Sequence, residues 1–123
     1  ALDPVACETK YAELWARFMP GVDYSGLEDW VRTRWLRTLH VFQIPFYFID
    51  YALAQVGALQ VWNNALKDQA QAVRQYRHAL SLGNTRSLPE LFAAAGAKFS
   101  FDAATLGELV DLVEKTIEEL EPA

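Results

Sequence analysis

The spacing of apolar residues along the chain predicts helices nearly throughout. Toward its end, apolar side chains recur at intervals of three and four, the period of an amphipathic helix, and they predict a helix over residues 102–120. Helical patterns also cover residues 4–18 and the stretch from residue 46 to about residue 67. Only residues 98–101 alternate as a strand does, and they are too few to build a sheet. The predicted fold class is therefore all-α.

Residues that begin and end helices divide this pattern further. In a capping box, a Ser, Thr or Asp is followed three positions later by Glu or Gln, which marks a helix start. The pattern occurs at residues 25–28, 68–71 and 87–90. The first predicts a helix through residue 39, the second a helix that Gly83 ends, and the third a short helix that ends at Gly96.

The central segment, residues 41–62, is apolar on every face of a helix, and Asp50 is its only charged residue. A helix that is apolar all round lies inside a sizeable protein or inside a membrane. Pro45, Asp50, Gln55 and Gln60 argue against the membrane, because polar groups are costly in hydrocarbon. We expect the other helices to cover only part of this segment. A partner subunit or further chain is then needed to cover the rest.

Composition describes an acidic globular chain. Its 123 residues amount to one domain or a piece of a larger one, and we expect residues 1–123 to form a single helical region. A hydrophobic fraction of 52% excludes disorder, and the net charge of -5 without a basic stripe argues against nucleic-acid binding. The chain begins with Ala1 rather than Met, which suggests a trimmed or processed chain.

The only cysteine is Cys7, so no disulfide forms within the chain, and a reducing, cytoplasmic setting is favoured. Its place near the start of a helix would suit a reactive thiol. The simpler interpretation is a small apolar residue that packs in the protein.

Candidate chemistry concentrates in His40, Tyr47, Asp50 and Tyr51. Tyr47 and Tyr51 are four residues apart and would share a helix face, with Asp50 close to it. Pro45 imposes a break between His40 and the helix that carries Tyr47. At this break the chain could turn His40 toward the face that the two tyrosines share. Imidazole and phenol groups can donate hydrogen bonds to an oxyanion. The alternative is ordinary packing of two tyrosines whose hydroxyls reach a polar partner, and spacing alone leaves it open.

Other catalytic motifs are missing from the sequence. The only histidines are His40 and His78, so an H-E-x-x-H zinc helix cannot be formed. The chain also has no Gly-rich phosphate loop, no C-x-x-C pair and no nucleophilic serine elbow. His78 lies in an Arg- and Gln-rich helix, where we expect it to face solvent.

The segment around the candidate residues resembles the signature of the oligoendopeptidase F family, which are thimet-oligopeptidase-like zinc peptidases. Residues 35–52 read W-L-R-T-L-H-V-F-Q-I-P-F-Y-F-I-D-Y-A. The family shows a His, four residues, Pro-Phe-Tyr and then an aromatic-rich turn that ends in Tyr-Ala. Tyr76 and residues 79–83 and 89–92 are similar to its closing helices. Departures are Phe48 and Ile49, where many members have Tyr, and Asn84, where a second Gly is common.

The resemblance implies that the chain is the helical C-terminal subdomain of a larger, deeply clefted zincin-type peptidase. It implies short peptides as substrates, zinc in the complete enzyme, an H-E-x-x-H segment upstream in the N-terminal remainder, and no metal bound by this piece. By position in the motif, His40 and Tyr47 would be the catalytic oxyanion donors, and Tyr51 and Asp50 would bind substrate. This piece alone would be inactive.

A second hypothesis needs no chemistry. The chain could be a non-catalytic, all-helical interaction module that binds a partner through its apolar central helix. A longer reading frame with the zinc segment favours the peptidase, whereas a native product of 123 residues favours the module.

Overall fold

The computed structural model describes residues 3–121, and in that range the chain is helical and has no strand, which confirms the all-α prediction. The α-helices are α1 (Pro4–Phe18), α2 (Glu28–Thr33), α3 (Leu39–Gln43), α4 (Ile49–Lys67), α5 (Gln69–Leu82), α6 (Leu88–Ala94) and α7 (Ala103–Leu120). A 3-10 helix, Arg34–Arg37, follows α2. The chain forms two compact units, Ala1–Phe48 and Ile49–Ala123.

The first unit is held together by an aromatic cluster between α1 and α2. The ring of Trp15 meets the rings of Tyr24 and Trp30 edge-on, with centroid distances of 5.7 and 6.2 Å. The Arg34 guanidinium lies 4.9 Å from the Trp15 ring centre and 4.6 Å from that of Trp30. Such cation–π contacts are worth roughly 0.5–1 kcal/mol each at exposed sites. The cluster therefore fixes α1 against α2 with few buried aliphatic residues.

The capping box predicted at residues 25–28 is wrong. The carboxylate of Asp23 accepts hydrogen bonds from both the backbone N–H and the hydroxyl of Ser25, so Ser25 is held in the loop. Leu27 is the N-cap residue, and α2 begins at Glu28. The side chain of Glu28 turns back to accept a hydrogen bond from the Gly26 N–H. A local Asx-type turn thus competes successfully with the cap.

Two predicted helices are also shorter than their patterns. The helix expected through residue 39 ends at Thr33 and continues only as the 3-10 helix. The helix expected from residue 46 begins at Ile49, because residues 45–48 form a turn. The break expected between His40 and Pro45 is confirmed, since α3 ends at Gln43.

The helix starts predicted in the second unit are confirmed. The side chain of Asp68 accepts a hydrogen bond from the Gln71 N–H at the start of α5, and Gly83 follows its last residue. At α6, the Glu90 carboxylate accepts from the N–H and the hydroxyl of Ser87, and these bonds lower the pKa of Glu90. At α7, Asp102 is the N-cap residue, as the pattern indicated.

Helix α4 is the centre of the second unit and packs against α5 and α7. Its Gln60 side chain donates a hydrogen bond to the Lys98 carbonyl (2.9 Å) and accepts one from the Lys98 N–H (2.8 Å). Asn64 donates to the Gly96 carbonyl at 2.8 Å. These bonds tie the loop after α6 to α4. The buried apolar residues of this unit are Val56, Ala72, Ala95 and Leu109.

The rest of the chain covers only part of α4, as predicted. Val56 is its only buried residue, and an open apolar cavity of about 450 Å³ remains against α5 and α6. Every residue from position 41 to position 52 is exposed, although most are apolar. No helix within residues 3–121 is long and apolar enough to cross a membrane. What covers the remaining surface of α4 stays a prediction.

Candidate active site

A tight turn separates α3 from α4 and positions the candidate residues. The N–H of Tyr47 donates a hydrogen bond to the Ile44 carbonyl at 3.2 Å, which closes a four-residue turn. Pro45 occupies its second position, and Phe46 occupies its third with a φ of 68°. Proline followed by a residue with positive φ is typical of a type II turn. The sequence Ile44-Pro45-Phe46-Tyr47 therefore reverses the chain at the predicted break and extends the break to residue 48, where the pattern had predicted a helix from residue 46.

The turn brings Tyr47 back onto His40. Their rings lie parallel within 4°, with centroids 5.6 Å apart. Phe48 meets the same imidazole edge-on at 5.4 Å. His40 is half-buried, whereas Tyr47 is 43% exposed. The structure thus brings His40 and Tyr47 together, as the sequence predicted, and the imidazole contacts two aromatic rings.

The expectation that Tyr47 and Tyr51 share a helix face is wrong. Tyr47 lies in the turn, before the first residue of α4, so helical spacing does not relate it to Tyr51 or to Asp50. Asp50 and Tyr51 lie in the first turn of α4, in the second unit, and both are exposed. An acidic residue in the first turn is favourable to the helix dipole, which gives Asp50 a structural role, and its contact with substrate stays a prediction.

The stacked pair presents two hydrogen-bond donors on an exposed segment. An imidazole N–H and a phenol O–H can both bind an oxygen that gains negative charge. Tyr47 is 43% exposed, so part of its side chain lies at the surface. The geometry can therefore serve acyl transfer, and the catalytic role of the two residues stays a prediction.

Two aromatic residues of this segment were missed as functional candidates. Phe48 had been noted only as a departure from the family pattern, yet its ring packs on the His40 imidazole. Phe46 adopts a left-handed backbone conformation, which costs a residue other than glycine roughly 1–3 kcal/mol. Pro45 signalled the turn, whereas no feature of the sequence signalled the positive φ of Phe46.

No metal site is formed by the described part of the chain. Within residues 3–121, no three side chains of His, Cys, Asp or Glu come together in a group that could hold a metal ion. His78 lies on α5 and is exposed, as expected.

Comparison with known proteins gives the family. No curated protein and no solved structure matches the chain. The family model of Peptidase family M3 matches residues 2–110, which is most of the 123 residues and includes the turn with its stacked His40 and Tyr47. The chain therefore belongs to peptidase family M3.

Proposed function

We propose that this chain is the helical C-terminal part of a zinc-dependent oligopeptidase of the oligoendopeptidase F type. The observation that carries the proposal is the stacking of Tyr47, in the exposed turn, on His40 of α3, within the match to a peptidase family. The chain would then supply one wall of the active-site cleft, and short peptides would be the substrates.

The roles of the residues follow from the charge that develops in peptide hydrolysis. When water adds to the scissile carbonyl, its oxygen becomes an oxyanion. We infer that the Tyr47 hydroxyl and the His40 N–H donate hydrogen bonds to this oxygen. Donors of this kind contribute about 2.7–4 kcal/mol to transition-state stabilisation, or a factor of roughly 100 to 1,000 in turnover. Asp50 and Tyr51 are assigned to contacts with the peptide backbone.

Zinc is the metal that this family generally uses. The described residues of this chain do not fit a zinc site, because they lack a group of three ligands. We propose that the ligands lie on an H-E-x-x-H segment upstream of Ala1, and we assign no step of the reaction to a metal held by this chain.

The exposed apolar surface supports the presence of further protein. Residues 41–52 include aliphatic and aromatic side chains that are half or more exposed, among them Phe42, Phe48 and Ile49. Burial of such surface stabilises by about 25 cal/mol per Å², so we propose that the N-terminal remainder of the peptidase packs on the apolar side chains of this segment that do not contact the peptide. The single cysteine agrees with a cytoplasmic setting.

The sequence of the gene upstream of Ala1 tests this proposal. We expect an open reading frame that continues upstream and encodes H-E-x-x-H followed by a further Glu. A complete reading frame that lacks this segment contradicts the peptidase assignment.

The same exposed surface favours one other candidate, the non-catalytic interaction module. Such a module would present residues 41–52 to a partner protein. Size-exclusion chromatography and binding of a hydrophobic dye examine this surface on the 123-residue chain. A clean monomer that binds no dye would argue against the module.

A further inference from the structure

Phe46 has a backbone conformation that is unfavourable for a phenylalanine. Among the described residues other than glycine, it alone has a positive φ, at 68°. The third position of a turn closed from Tyr47 to Ile44 is one that glycine fills without strain. A bulky residue in this conformation is a true outlier. The turn itself therefore does not explain why a phenylalanine stands here.

Packing within the described chain does not explain it either. Phe46 is 94% exposed, which is the largest exposure among the large apolar side chains of residues 3–121. A ring left in water gains almost none of the free energy that burial supplies. Strained backbone is kept where the surrounding structure or a ligand uses it, and such positions cluster at ligand clamps. Burial within residues 3–121 therefore does not offset the strain, which leaves a contact with a group outside the described residues to do so.

The position of Phe46 in the chain indicates which group. It precedes Tyr47 directly, and the Tyr47 ring stacks on His40. Adjacent Cα atoms are about 3.8 Å apart, so the phenyl ring starts within one residue of the proposed oxyanion donor. A peptide whose carbonyl oxygen is held there places its neighbouring side chains within reach of an aromatic ring.

We propose that Phe46 is a specificity-determining residue of the peptidase, whose ring contacts an apolar side chain of the bound peptide close to the scissile bond. This inference rests on the proposed function. A contact that forms only with substrate also accounts for the exposure of the Phe46 ring in the absence of substrate.

The test uses the complete peptidase and a set of quenched fluorescent peptides in which Leu or Ser stands at each of the two positions on either side of the cleaved bond. The variants are Phe46→Gly, which removes the ring and relaxes the turn, and Phe46→Leu, which keeps an apolar side chain. At one position, Phe46→Gly should lower kcat/KM about tenfold for the Leu peptide and less than about twofold for its Ser counterpart. Phe46→Leu should retain most of the preference for Leu, and Phe46→Gly should not lower the Tm.

Four results would overturn the inference. Unchanged kcat/KM for every peptide in Phe46→Gly means that the ring contacts no substrate. An equal loss for Leu and Ser peptides, together with a lower Tm, means that the ring packs against the remainder of the enzyme. If the wild-type protein, folded and loaded with zinc, cleaves no peptide, the proposed function fails and this inference fails with it. If the wild-type enzyme cleaves the Leu and Ser peptides equally well, the proposed function stands and only the role of Phe46 is removed.

Discussion

Replacement of Tyr47 by Phe removes only the hydroxyl group that is proposed to contact the oxyanion. The parallel ring that stacks on His40 at 5.6 Å is retained in Tyr47→Phe, so the imidazole keeps its neighbour. Tyr47 is 43% exposed, and loss of its hydroxyl leaves no large cavity. The variant therefore removes one donor and keeps the aromatic packing. Loss of one oxyanion donor lowers kcat by a factor on the order of 100, which corresponds to about 2.7 kcal/mol.

The assay is steady-state hydrolysis of a short quenched fluorescent peptide by the complete peptidase. Because the hydrogen bond strengthens only as charge develops, kcat and kcat/KM should fall together, and KM should stay nearly constant. Tyr24→Phe is the matched control, since Tyr24 also stacks on an aromatic ring, that of Trp30, and its hydroxyl has no assigned role. It should stay within about twofold of the wild type.

The result that would refute the reasoning is wild-type turnover in both Tyr47→Phe and His40→Ala. A rise in KM alone would also contradict an oxyanion role, because it would show that the hydroxyl binds substrate and transition state equally. Circular dichroism melting of each variant separates loss of chemistry from loss of fold.

Three further predictions concern stability of the second unit. Leu109 is 4% exposed, so Leu109→Ala should lower the free energy of unfolding by about 2–5 kcal/mol in a urea titration, whereas Val110→Ala, at an exposed position, should change it by about 0.5 kcal/mol. Gly107 lies inside α7 with open space where a Cβ would stand, and Gly107→Ala should stabilise by up to about 1 kcal/mol in thermal melting; a loss would show that this face is covered. Hydrogen bonds from the Ser100 hydroxyl, then from Thr105, lower the pKa of Asp102 from 3.8 to about 2. The stabilisation by its carboxylate is thus present above pH 4 and is lost as the pH falls toward 2, and the difference in stability between wild type and Asp102→Ala should shrink over that interval.

The features that the sequence predicted correctly are those with local causes. Asp68, Ser87 and Asp102 each mark a helix start through hydrogen bonds that span three residues, so their own sequence neighbourhood determines them. The incomplete cover of α4 was predictable for a similar reason. A helix with apolar residues on every face has more apolar surface than the other helices of this chain can bury.

The errors arose where two local arrangements compete. Ser25 could have capped α2, but its hydroxyl donates a hydrogen bond to the nearby carboxylate of Asp23 instead. Helical spacing placed Tyr47 beside Tyr51, because the apolar pattern runs through residues 46–48 without interruption. The turn at Pro45 and Phe46 removes Tyr47 from the helix and stacks it on His40 instead. The proximity of His40 and Tyr47 could be expected from the break. The geometry of the turn could not, because it depends on a positive φ at Phe46, which a phenylalanine does not predict.

The most direct test of the central claim, that this chain forms one wall of the active site of an M3-family peptidase, is the rate of short-peptide hydrolysis by the complete protein, measured beside residues 1–123 alone. We predict that the complete protein cleaves the peptide, that a chelator abolishes the activity and that added zinc restores it, while residues 1–123 alone cleave nothing. A folded, zinc-loaded complete protein that leaves the peptide intact would contradict the account.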